Sequence, residues 1–96
     1  MIINKLVLKN FQLFKDQTII LDRINLITGV NLDDIASSGN GSEKTTILNA
    51  ILFGLWGEVT DINLAELIRI GEKEAEIKIE LEHNNKNYTI IRKIIR

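Results

Sequence analysis

The chain has no cysteine and no proline, one histidine, five aromatic residues and a net charge of −1 over 96 residues. Without cysteine there is no disulfide staple or thiolate chemistry, although that absence by itself fits either an oxidising or a reducing compartment. A lone His83 with no cysteine cannot assemble a zinc site or a nucleophile–base pair, and its place in a polar turn marks it as solvated. Near-zero charge excludes a protein that grips nucleic acid by bulk positive field, leaving only local patches or a partner for such contact. No apolar run approaches the ~20 residues of a membrane span, and the start MIINKLVLKN lacks the parts of a secretory signal. A soluble, cytoplasmic chain without membrane contact is therefore expected. At 96 residues it is at most one small domain with a modest core.

What is abundant is isoleucine, eighteen residues, which with the absent proline favours extended structure. IINKLVLK at 2–9, with Ile3, Leu6 and Leu8 prominent, and QTIILD at 17–22 read as strands separated by a turn in FQLFKD. INLIT at 24–28 is a third run, apt for a strand covered on both faces and ended by Gly29. VNLDDIASSGNGS at 30–42 is a loop rich in turn formers. From Lys44 the pattern KTTILNAILFGLWG predicts a helix apolar nearly all round, hence buried, with Trp56 in the core and Gly57 as its stop. DINLAELIRIG at 61–71 predicts a short helix closed by Gly71. EAEIKIELE at 74–82 alternates strictly, with Ala75, Ile77, Ile79 and Leu81 on one face. Its glutamates form an acidic strip that reads as the wet side of a strand and a guard against edge pairing. HNNKN at 83–87 is a turn, after which YTIIRKIIR pairs back in a register the sequence leaves open, because both faces hold isoleucine. Arg92, Lys93 and Arg96 read as a solvated basic cluster near that end.

SSGNGSEKTT at 37–46 thus lies between a strand and a buried helix, the setting of a phosphate loop. In the usual pattern, G-x-x-x-x-G-K-[ST], successive backbone N–H groups curl around a phosphate while the helix N-terminus adds partial positive charge. Aligned on Lys44-Thr45, the two glycine positions fall on Ser38 and Glu43. Gly39, Gly41, Lys44, Thr45 and Thr46 nonetheless supply flexibility, a phosphate cation and two hydroxyls, in a loop that also holds Asn40 and Ser42. Lys44 would reach the β- and γ-phosphates and the Thr45 hydroxyl would ligate Mg²⁺. The plainer alternative is a polar loop capped onto a helix, with Lys44 in water.

MIINKLVLKNF, INLITG, SGNGSEKTTILNAILFGLWGE and LIRIGEKEAEIKIELEHNNKNYTIIRKI together resemble the N-terminal segment of SMC-related recombination and repair ATPases. The similarity is greatest to SbcC-like exonuclease subunits and the phage recombination endonuclease subunit. The resemblance implies an α/β P-loop NTPase of the ABC-type head class. Residues 1–96 would be its N-terminal portion, with a β-rich edge sheet, phosphate loop, buried helix and C-terminal hairpin. A coiled coil and a C-terminal lobe would follow, supplying the Q-loop glutamine, signature motif, Asp-Glu pair and switch histidine. ATP and Mg²⁺ are the implied cofactors, held at Ser38, Gly39, Asn40, Gly41, Ser42, Glu43, Lys44, Thr45 and Thr46. The implied partners are that lobe, a second ATPase head, a nuclease subunit and, through the assembly, DNA. A phosphate loop alone lacks the positioned water and γ-phosphate charge stabilisation of phosphoryl transfer, so the segment by itself is not expected to turn over ATP.

Three departures qualify the resemblance. Gln12 and Leu13 stand where many relatives carry a basic residue and a serine, so no phosphate contact is placed on them. VNLDDIAS resembles the longer loop of some phage members, with Asp33 and Asp34 equally apt as turn residues. Glu43 adds bulk where backbone and phosphate approach closely, and a charge that repels a phosphate ~4 Å away by about 1 kcal/mol in water and about 4 at an effective dielectric near 20. It is a lesion in a competent loop, a degenerate site kept for structure, or a variation absorbed by a displaced loop. The contrasting reading is an inert module binding a partner chain through its sheet edges. Apolar surface belonging against a missing lobe is expected to drive self-association.

Overall fold

The computed structural model describes residues 1–25, 41–59 and 62–96, and of residues 22–25 and 41–44 the backbone alone. Four strands, β1 (Ile2–Phe11), β2 (Phe14–Asn25), β3 (Glu74–His83) and β4 (Lys86–Ile95), form one antiparallel sheet in the order β2-β1-β3-β4. A sixteen-residue helix, α1 (Gly41–Trp56), lies against one face, and a 3₁₀ turn spans Leu64–Leu67.

The alternation read in β3 holds, since Ala75, Ile77, Ile79 and Leu81 are all buried beneath the helix. Asn84 and Asn85, both left-handed at φ 52° and 63°, make the two-residue turn whose twist suits a hairpin. That turn fixes the register the sequence left open, with Ile79 opposite Ile90 and Ala75 opposite Ile94. In β1 the buried residues Ile3, Leu6 and Leu8 are spaced three and then two apart, which no regular strand allows on one face. A bulge between Ile3 and Lys5 takes up the extra residue and returns Leu6 to the core. Asn10, at φ 51°, then turns the chain so that Phe11, three beyond Leu8, is buried as well.

Four expectations are corrected. The first turn is only Gln12-Leu13, with Phe11 opposite Phe14, and β2 runs twelve residues to absorb Ile24 and Asn25 from the third apolar run. Residues 26–28 of that run lie outside the described residues. Helix α1 begins at Gly41 rather than Lys44 and buries one face, because the sheet covers only one side. Leu48, Leu52 and Leu55 are half-buried, and Trp56, expected in the core, is 64% exposed at the helix end. The short helix closes at Leu67, where Ile68 turns extended to bridge Phe11, while Gly71 at φ 91° serves the next turn. Finally, the β3 glutamates guard no edge, since β3 is interior. Glu76 lies opposite Lys9 and Lys93, and Lys5 meets Glu80 at 3.3 Å across half-exposed side chains, a pair worth about 0–1 kcal/mol.

The helix sits close to the sheet because residue 54 is glycine. A Cβ there would collide with the Ile79 side chain and come within 2.7 Å of Ile77 Cδ1. Gly54→Val is therefore expected to lower stability by about 1–3 kcal/mol, read as a reduced urea midpoint at unchanged slope.

Candidate phosphate-binding helix

Helix α1 is anchored at its middle and its C-terminus. Ile47, Ala50, Ile51 and Gly54, at the i, i+3, i+4, i+7 spacing, lie on its buried side. Phe53 reaches Phe11 of β1 with ring centroids 6.3 Å apart. Asn49, buried in an otherwise apolar stretch, donates through Nδ2 to the Gln12 side-chain oxygen at 3.1 Å. Gln12 is itself held left-handed at φ 47°, with its amide donating to the Leu67 carbonyl at 2.8 Å. Arg69 closes the same corner, its amide donating to Asn10 O at 2.8 Å and its guanidinium to Leu13 O at 2.7 Å.

At the helix C-terminus, Arg92 from β4 donates through Nε to the Gly54 carbonyl at 2.7 Å, with Nη2 at 3.5 Å from that of Leu55. A cation there satisfies carbonyls that lack intrahelical partners and complements the negative end of the helix dipole. Gly57, at φ 79°, donates back to Phe53 O at 2.8 Å and so ends the helix where the sequence placed its stop. The basic cluster read at this end is thus divided. Arg92 faces inward onto α1, Lys93 faces out, and Arg96 reaches the Ala65 carbonyl at 3.3 Å.

The opposite end of α1 presents Gly41, Ser42, Glu43 and Lys44 as its first turn. The first backbone N–H groups of any helix have no intrahelical acceptor and carry its partial positive charge, so this end can receive an anion. Thr45 is exposed in the next turn and Thr46 is buried. Of the expected site residues, Ser38, Gly39 and Asn40 lie outside the described residues, as do Asp33 and Asp34. Gly41, Ser42, Glu43 and Lys44 are placed by backbone on one helical turn with Thr45 and Thr46 following. Sequence reasoning missed Asn49 and the inward role of Arg92. Asn49 was marked by one signal, a polar residue where the helical periodicity demands an apolar one, whereas no local signal marks Arg92.

A four-stranded antiparallel sheet backing one helix that follows a Gly/Ser-rich stretch of sequence is the arrangement of the N-terminal portion of an ABC-type ATPase head, a P-loop NTPase fold. The family model of an AAA domain matches residues 5–96, and the chain belongs to that family. It is 36% identical over 96 residues to the DNA double-strand break repair Rad50 ATPase of Thermoplasma acidophilum, an alignment covering 100% of this chain and 10% of that protein. The Rad50 ATPase of Halobacterium salinarum is 34% identical over 92 residues, covering 94% of this chain and 9% of its own length. That of Sulfolobus acidocaldarius is 35% identical over 97 residues, covering 98% and 10%. The chain therefore spans about a tenth of the length of these curated relatives. A solved structure of the recombination mediator protein RecF of the RecFOR pathway, in its RecF-ATPrS form, superposes with a TM-score of 0.73 at 15% identity, covering 97% of this chain and 24% of RecF. The chain is a segment of an SMC/Rad50-like ATPase head. No helix among the described residues is long and apolar enough to cross a membrane.

Proposed function

We propose that this chain is the nucleotide-cradling segment of a DNA recombination and repair ATPase, and that Glu43 weakens its hold on nucleotide. The observation that carries the reading is a helix fixed at its C-terminus by Arg92, whose first turn, Gly41 to Lys44, directly follows a Ser/Gly-rich stretch of the sequence. Membership of the AAA domain family supports it, as do relatives described as DNA double-strand break repair ATPases.

Residues 38–46 would hold the phosphates of Mg-ATP. Backbone N–H groups of this stretch, including the first turn of α1, would receive the β-phosphate, Lys44 would neutralise the β- and γ-phosphates, and the Thr45 hydroxyl would hold Mg²⁺. The metal supplies charge neutralisation on the phosphates when bound. Glu43 opposes this in two ways. Its carboxylate repels the incoming phosphate, and an acidic group in a first helical turn already occupies the favourable end of the dipole. Residues 1–96 act as part of one head that is completed by a C-terminal lobe and coiled coil. The completed head pairs with a second head and works with a nuclease subunit of the SbcC-partner or phage type on DNA ends, in the cytoplasm.

Calorimetric titration of Mg-ATP into the chain, a Glu43→Gly variant and that variant carrying Lys44→Ala tests the reading. Glu43→Gly is expected to raise affinity at least several-fold, and Lys44→Ala to remove the gain. If neither the chain nor Glu43→Gly binds nucleotide, the phosphate-loop reading of residues 38–46 is wrong for this segment. The contrasting reading, a module that binds another chain through its sheet edges, would then stand.

A further inference from the structure

Among the described residues the sheet has two open edges, β2 and β4. On the face away from α1, the strand registers set four charged side chains in one row across all four strands, Asp16, Lys9, Glu76 and Lys93. Their signs alternate strictly. Lys9 and Glu76 each have an opposite charge on both sides, whereas Asp16 and Lys93, both exposed, have one on a single side. The two edges therefore carry complementary charges at the same level of the sheet.

Strand direction alternates as well, so β2 of a second copy laid beside β4 by simple lateral displacement runs antiparallel to it and continues the ladder. With the second copy's Asp16 opposite Lys93, the outward Ile91 falls opposite Thr18 and Thr89 opposite Ile20. On the inward side Ile90 meets Ile19 and Tyr88 meets Leu21, both cross-strand pairs of favourable type. Ile20 and Ile91, 70% and 59% exposed in the single chain, would gain neighbours. Pairing two β4 edges is the poorer choice, because β4 carries Lys86, Arg92 and Lys93 and no acid.

We propose that this chain self-associates edge to edge, β4 of one copy against β2 of the next, with Lys93 and Asp16 as the registering pair. The contact is heterologous and does not close on itself, so assemblies lengthen with concentration. This inference stands independently of nucleotide binding.

Sedimentation velocity over a concentration series, at ~0.05 M and ~0.5 M salt, tests it on the chain, on Lys93→Glu, on Asp16→Lys and on their equimolar mixture. The neutral variants Lys93→Thr and Asp16→Thr guard against folding defects in the charge reversals, with circular dichroism as the check. Each reversal is expected to weaken association about tenfold, each neutral variant less, and the higher salt to weaken the parent chain. The mixture is expected to regain association, because each reversed edge then meets its complement. A chain that stays monomeric throughout, association unchanged in both reversals, or a mixture no stronger than its components would each overturn the proposal.

Discussion

Phe11→Ala is expected to remove about 3–5 kcal/mol of stability, a large share of the ~5–15 kcal/mol that holds a typical small domain. Phe11 is fully buried at the point where three parts of the chain meet. Its ring contacts Phe53 of α1, its backbone bridges Ile68, and the residues on either side of it bond to Leu67 and Arg69. Truncation leaves a cavity beneath the helix that a sheet held on both sides cannot close. Equilibrium urea unfolding should show the loss as a lower midpoint, with Phe11→Leu retaining most of the stability because it keeps most of the volume. A cost under ~1 kcal/mol for the alanine variant would mean that α1 is not anchored through this ring.

Arg92→Met is expected to cost about 1.5–3 kcal/mol, the range for hydrogen bonds made by a charged group, although methionine preserves the length of the side chain. The variant leaves the Gly54 carbonyl without its donor and removes the cation from the negative end of α1. Arg92→Lys should recover only part of the loss, since an ammonium cannot span the Gly54 and Leu55 carbonyls as a guanidinium does. Thermal unfolding of the three proteins decides the matter, and equal midpoints for arginine and methionine would show the clamp to be idle. Gly57 adds a related test, because its left-handed φ of 79° and the Arg92 Nη1 only 3.1 Å from a Cβ both resist a side chain. Gly57→Ala should lose about 1 kcal/mol.

Much of this arrangement is legible in the sequence where one local rule acts alone. Strict alternation in residues 74–82 gave both the strand and its buried face, and the Asn-rich turn gave the hairpin. Helix α1 was legible from its apolar spacing, although it begins at Gly41, inside the run of residues expected to form the phosphate loop. Legibility failed where tertiary context decides. The bulge in β1 is hidden because Ile3, Leu6 and Leu8 fit neither a strand nor a helix period. Trp56 looked like a core residue because its hydrophobicity is large, yet it stands exposed at the helix end, outside the buried series Ile47, Ala50, Ile51 and Gly54. Arg92 looked solvated because nothing local reveals that strand β4 would set it under the last turn of α1.

The order of strands has a consequence for how the molecule forms. β1–β2 and β3–β4 are hairpins with two-residue turns, so each can close quickly from neighbouring chain. The central seam is different, since β1 pairs with β3 through partners as distant as Ile2 and Glu82. Closing so long a loop is the entropically demanding step, and contacts of this separation slow folding more than they limit final stability. Helix α1 lies in sequence between the two hairpins and packs on both sides of the seam. It bridges the two halves, so its packing, and with it the placing of its first turn, is complete only once they have joined.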